Sequence, residues 1–130
     1  MADYLLCDTC VIINYMNGHS PELNDLLNND AILFINSIIE MELLQGARDK
    51  KELQIIKKKL HSFRLLTMQQ DIFDLATQYI CDYRLSHSLA LPDAVIGATA
   101  IFYQMPLRTY NQKDFKFLPE IQLAEFYGME

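Results

Sequence analysis

The chain has 130 residues, 51% of them hydrophobic, which suits one compact domain (residues 1–130) with a real core. Its formal net charge of −6, from 17 acidic against 11 basic side chains, excludes nucleic-acid binding through a broad basic face. No apolar run approaches the roughly 18 residues of a membrane span, and Asp3 stands where a secretory signal would be positive, so a cytoplasmic protein is expected.

Tyr4–Cys7 is a short apolar run ending at Asp8, and Val11–Met16 follows with Asn17-Gly18 as a stop: a strand, then a helix. Pro21 begins a short helix through Leu27, and Ala31–Ile35 is a β-branched apolar run suited to a buried parallel strand. Asn36-Ser37 offers an N-cap for a helix over Ile38–Ala47, which Gly46 or the polar residues after it would close. A further helix carries Leu53, Ile56 and Leu60, and Phe63–Thr67 reads as a third strand.

Ile72, Leu75, Ala76, Tyr79, Ile80 and Tyr83 recur on one face of a long helix. Pro92 opens the next helix where its missing N–H costs nothing, and Ala94–Tyr103 is apolar nearly all round, as an interior helix must be. Pro106–Thr109 is a brief strand, Asn111–Phe115 a turn, and Ile121–Phe126 a last short strand. Strands and helices alternate throughout, which predicts an α/β fold with a mainly parallel sheet of four to five strands flanked by helices.

The three cysteines form no disulfide framework, and the Cys7-x-x-Cys10 pair lacks the further ligands a zinc site requires, because Cys81, His19, His61 and His87 are scattered. Two small buried hydrophobes are the simpler reading of Cys7 and Cys10.

The carboxylates carry more chemistry. Ligands of open parallel sheets bind beyond the carboxyl ends of the strands, where Asp8 lies; taken alone it could equally be a helix cap. Asp93 sits in the first turn of the apolar helix, where the helix dipole alone favours an acid, and Gly97 one turn on would let that helix approach the sheet closely and hold Asp93 near the strand ends. Glu42 falls on an apolar helix face beside Ile38 and Ile39, although helical periodicity leaves Glu40 as an alternative. Thr109, Asn111 and Asp114 add oxygen donors near another strand end. Several acids gathered at one end of a sheet suit a hard divalent cation.

These residues carry a resemblance. Leu5-Leu6-Cys7-Asp8-Thr9, Glu42-Leu43-Leu44-Gln45-Gly46, Leu91-Pro92-Asp93-Ala94 through Ala100, and Thr109-x-Asn111-x-x-Asp114-Phe115 resemble the four ordered motifs of PIN-domain nucleases of the VapC toxin type, across nearly the whole chain. The resemblance implies a three-layer PIN-like fold and an endoribonuclease using Mg2+ or Mn2+. It also implies an antitoxin protein partner and a homodimer, and it selects Glu42 over Glu40. On this reading Asp8, Glu42, Asp93 and Asp114 hold metal and carry catalysis. Thr9, Thr109 and Asn111 support them, with Asn111 an alternative to Asp114 at the variable fourth position. Arg108 and Lys113 are candidates for contact with phosphate. Two other readings remain: a non-catalytic PIN-like interaction module, and a phosphatase of the haloacid-dehalogenase type, against which Cys10 stands where a second aspartate would be required.

Overall fold

The computed structural model describes residues 4–19 and 21–125. Four parallel strands, β1 (Tyr4–Cys7), β2 (Ile32–Ile35), β3 (Arg64–Leu65) and β4 (Leu107–Arg108), form one sheet in the order β3-β2-β1-β4. The helices are α1 (Thr9–Met16), α2 (Pro21–Asn28), α3 (Ser37–Gln45), α4 (Lys50–Lys59), α5 (Gln70–His87) and α6 (Leu91–Phe102).

The chain steps outward from β1 to β2 to β3 and then returns to the opposite side of β1 as β4. The order therefore reverses between β1 and β4, and a crevice opens at their carboxyl ends. Leu6 pairs with Leu107 and Cys7 with Arg108, so the next residues, Asp8 and Thr109, emerge side by side at that crevice.

Burial explains the element types. Leu5, Leu6 and Cys7 are all buried, as a central parallel strand covered on both faces requires. Helix α6 is buried continuously from Ala94 to Ala100, and Gly97 has a specific reason: a Cβ there would lie 2.4 Å from Leu118 Cδ1. Leu118 thus packs directly on the α6 backbone and anchors the segment after Asp114 against it. Of the expected α5 face, Ile72, Ala76 and Tyr79 are buried, while Leu75, Ile80 and Tyr83 pack against the core from its margin.

Two expected strands come out shorter. The third covers only Arg64–Leu65 of the expected Phe63–Thr67, at the sheet edge with both side chains exposed. The expected strand Ile121–Phe126 is reduced to one parallel bridge between Leu107 and Leu123, and Phe126 lies outside the described residues. The apolar residues Ile121, Leu123 and Ala124 pack against the core instead, a demand that alternating hydrophobicity meets without a ladder.

Candidate active site

Asp8 is 6% exposed, in extended backbone between β1 and α1. Its Oδ1 accepts the Thr9 backbone N–H at 2.8 Å, and its Oδ2 accepts the Thr109 hydroxyl at 2.8 Å. The Cys10 thiol also donates to Oδ2, at 3.6 Å. The side chain therefore caps α1, as one of its two readings expects, and is at the same time clamped to the β4 end. Thr109 Oγ1 in turn accepts the Asn111 backbone N–H at 3.0 Å.

Glu42 lies in the second turn of α3, and its Oε1 accepts the Thr9 hydroxyl at 2.7 Å. Thr9 thus links the Asp8 loop to the Glu42 helix by its backbone on one side and its hydroxyl on the other. Asn36 caps α3, accepting the Ile39 N–H at 2.9 Å, and donates through Nδ2 to Thr99 Oγ1 on α6, also at 2.9 Å.

Asp93, in the first turn of α6, has its carboxyl pushed up to about 6, first by burial and then by the charges of Asp8, Asp114 and Glu42. Acids from three other parts of the chain therefore lie near enough for their charges to act on Asp93. At the fourth position it is Asp114, half-buried, whose charge reaches Asp93. Asn111 is exposed and contributes its backbone N–H to Thr109.

The basic candidates part company. Lys113 is exposed on the short 3-10 turn Gln112–Asp114. Arg108 is buried, with its guanidinium 3.7 Å from Glu22 Oε2 and 3.1 Å from the Glu125 carbonyl. It lines a groove with Tyr4, Met105 and Glu125, none of whose lining residues is one of the four acids. In this arrangement the Arg108 guanidinium is engaged by Glu22 and the Glu125 carbonyl.

Cys7 is fully buried and its thiol is pushed up to about 12, mainly by burial; Cys10 is half-buried and its thiol is also raised. Neither is a thiolate at neutral pH, which leaves a redox role without a nucleophile.

Sequence reading missed the second function of Asn36 and the part played by Thr99. Asn36 was legible as a cap, but a cap motif does not reveal where the remaining amide N–H goes.

Whether a divalent cation fits can be judged from the donors. They are carboxylate and hydroxyl oxygens, the hard set such ions prefer, and the raised carboxyl of Asp93 marks uncompensated negative charge at their centre. Among the described residues no three Asp, Glu, His or Cys side chains are close enough to hold an ion as they are placed, so the acids stand apart by more than ligation allows. The donor chemistry of the set fits a hard cation.

Fold and site together define an α/β protein with an acidic site at the switch point of a parallel sheet. The PIN domain family model matches residues 5–120, and the chain belongs to that family. It is 27% identical over 121 residues to a Mycobacterium tuberculosis protein named Ribonuclease VapC19, covering 90% of this chain and 96% of that one. It is 30% identical over 127 residues to a Rickettsia bellii protein named Ribonuclease VapC, covering 92% and 93%. Among solved structures it is similar to a chain of a toxin-antitoxin complex from Klebsiella pneumoniae, with a TM-score of 0.71 and 30% identity over 90% of this chain and 94% of that one. It shares the fold of a chain in the DNA-bound VapBC of Salmonella typhimurium, with a TM-score of 0.81 at 19% identity over 95% and 98%.

Proposed function

We propose that this chain is a divalent-metal-dependent endoribonuclease, the toxin of a toxin–antitoxin pair, restrained by a cognate antitoxin protein. Family membership and the ribonuclease names of its relatives support the reaction class. Similarity to a chain of a toxin-antitoxin complex supports the partner. The single observation that carries the site assignment is the convergence of the β1 and β4 ends with α3, where Thr109 holds Asp8 and Thr9 holds Glu42, with Asp93 near enough to feel both charges.

Asp8, Glu42, Asp93 and Asp114 would hold Mg2+ or Mn2+. A cation bound there supplies positive charge to a phosphodiester and makes a water nucleophilic near neutral pH. The chain's own part is positioning. Thr9 N–H and Thr109 fix both oxygens of Asp8, and Thr9 Oγ1 fixes one oxygen of Glu42. The second oxygen of Glu42 is a candidate to orient a water. Lys113 stands beside Asp114 as a phosphate contact. No protein nucleophile is needed; the Cys10 thiol, bonded to Asp8, is raised and protonated.

No described helix is long and apolar enough to cross a membrane, and we place the protein in the cytoplasm, where its RNA substrate and its thiols' reducing surroundings are found. A homodimer is the expected assembly, to be read by sedimentation.

The test is cleavage of single-stranded RNA by purified protein with Mg2+, with Mn2+ and with excess EDTA, for the parent, Asp8→Asn and Asp93→Asn. Activity in either metal, lost in EDTA and in both variants, is expected. Full cleavage in EDTA would overturn the metal reading. A protein that is inert on RNA, yet whose cellular effect survives Asp93→Asn, would be the interaction module instead.

A further inference from the structure

Three aromatic rings gather where α5 ends. Tyr83 and His87 lie one turn apart on that helix, and Phe117 comes from the segment that follows Asp114. The His87 imidazole is stacked on Phe117 with centroids 4.3 Å apart and planes inclined by 24°. Tyr83 is 5.1 Å from Phe117 and 5.7 Å from His87. A triangle with these sides is acute at His87, so Tyr83 lies on the Phe117 side of the imidazole. The opposite ring face is turned away from both, and His87 is exposed. The Ser86 hydroxyl, 2.7 Å from Nδ1, holds the ring in place.

The platform stands beside the acids. Phe117 follows Asp114 by three residues, which bounds their Cα separation at about 11 Å. Across the short Ser88–Ala90 connection, His87 leads into the first turn of α6 and Asp93. Leu118, next to Phe117, is seated on Gly97 one turn beyond Asp93, so the platform and the acids share one rigid support.

An acidic chain needs a way to hold RNA that does not depend on a broad basic face. Base stacking on an aromatic ring provides one: it is tolerant of sequence, uses only an open π-face and is the ordinary means of binding unpaired bases. Lys113 and Lys116, exposed on the same segment, place positive charge nearby for the backbone of such a strand. Tyr83 and Phe117, half-buried, are explained as packing, whereas His87 is exposed and has Phe117 stacked on one side.

We propose that the outer face of His87, backed by Phe117, is a stacking subsite for an unpaired base of the RNA substrate, adjacent to the phosphodiester at the four acids. This rests on the endoribonuclease reading above. The test combines KM and kcat for a single-stranded RNA with anisotropy titration of the same labelled RNA, and of its duplex, on an Asp93→Asn background. His87→Ala should raise KM and the single-strand Kd about 5- to 150-fold, the range of one base–aromatic stack, with kcat little changed. Duplex binding should not move, and His87→Phe should restore the single-strand values. His87→Gln, which keeps a polar helical residue without a stacking ring, should match His87→Ala. Unchanged KM and Kd in His87→Ala, or a His87→Phe no better than it, would overturn the proposal. So would a His87→Ala that loses a protein partner while binding RNA as before. A parent that cleaves no RNA would instead overturn the endoribonuclease reading, which the binding arm does not use.

Discussion

The Asn36 side-chain amide donates to the Thr99 hydroxyl at 2.9 Å, tying the helix that carries Glu42 to the helix that carries Asp93. Asn36 and Thr99 are both wholly buried; Asn36 Oδ1 accepts the Ile39 N–H, and Thr99 Oγ1 donates to the Val95 carbonyl at 2.7 Å. Two acids that repel each other are thus held by helices that cannot drift apart. Thr99→Val, close to isosteric, would strand the amide N–H of Asn36 and cost about 1–3 kcal/mol of stability. Half-saturation of cleavage should require more Mg2+ than in the parent, and Thr99→Ser should behave as the parent. Ile72→Val, a core change of comparable cost, is the control that should lower the melting temperature alone.

The Asp93 carboxyl, raised to about 6 in the metal-free fold from an ordinary value near 3.8, makes a pH-dependent contribution. The folded state binds the proton more tightly than the unfolded chain, so the stabilisation is complete below about pH 4 and is lost as pH rises through 6. Allowing for solvent screening of a half-buried group, the loss amounts to about 1–2 kcal/mol. Urea titrations of metal-free protein at pH 4 and pH 8 should show most of it, and Asp93→Asn should flatten the difference. An equal dependence in Asp93→Asn would place its source elsewhere.

Magnesium should stabilise the parent in proportion to the logarithm of its concentration once the site is filled, because only the folded chain assembles the four acids. Asp8→Asn retains the acceptor that caps α1 yet loses a charge from the site, so the variant should gain much less at matched ionic strength. Metal-free Asp8→Asn should also melt no lower than the parent, since relief of repulsion offsets a weaker bond to Thr109. A variant that gained as much from Mg2+ as the parent would remove Asp8 from the ligand set.

At Gly97 a methyl group would meet Leu118 Cδ1 at 2.4 Å, and Leu118 is itself buried. Gly97→Ala improves helix propensity by up to about 1 kcal/mol, but overpacking costs about 1–3 kcal/mol, so a net loss of stability is expected. Leu118 must shift, and Phe117 and Asp114 are on the same segment, so cleavage should fall more than the melting temperature alone explains. Pairing Gly97→Ala with Leu118→Ala, which vacates the space, should recover part of the activity.

Much of the architecture could be read from periodicity. The alternation of apolar strands with amphipathic helices, the Pro92 helix start, the Asn36 cap and the all-round apolarity of Ala94–Ala100 are local signals, each with a local physical cause. Local signals failed where a segment could satisfy its apolar residues in more than one way. Residues 121–125 pack against the core with a single bridge to Leu107, and Arg64–Leu65 pairs only briefly at the edge. Hydrophobic alternation records which residues are buried and leaves open whether the backbone also pairs.

The site divides along the same line. The ordered acids, and the strand ends and helix starts that carry them, are legible locally, because caps, dipoles and strand termini depend on neighbouring residues. It took the folded arrangement to show that Thr9 grips Glu42, that Thr109 holds Asp8, that the charge of Asp114 reaches Asp93 and that Arg108 is engaged by Glu22 and the Glu125 carbonyl. These contacts join residues well separated in the chain, from 17 positions between Arg108 and Glu125 to 101 between Asp8 and Thr109. Such pairs are set by the order β3-β2-β1-β4, which places the ends of β1 and β4 together. Strand order is a property of packed layers, and no window of sequence contains it.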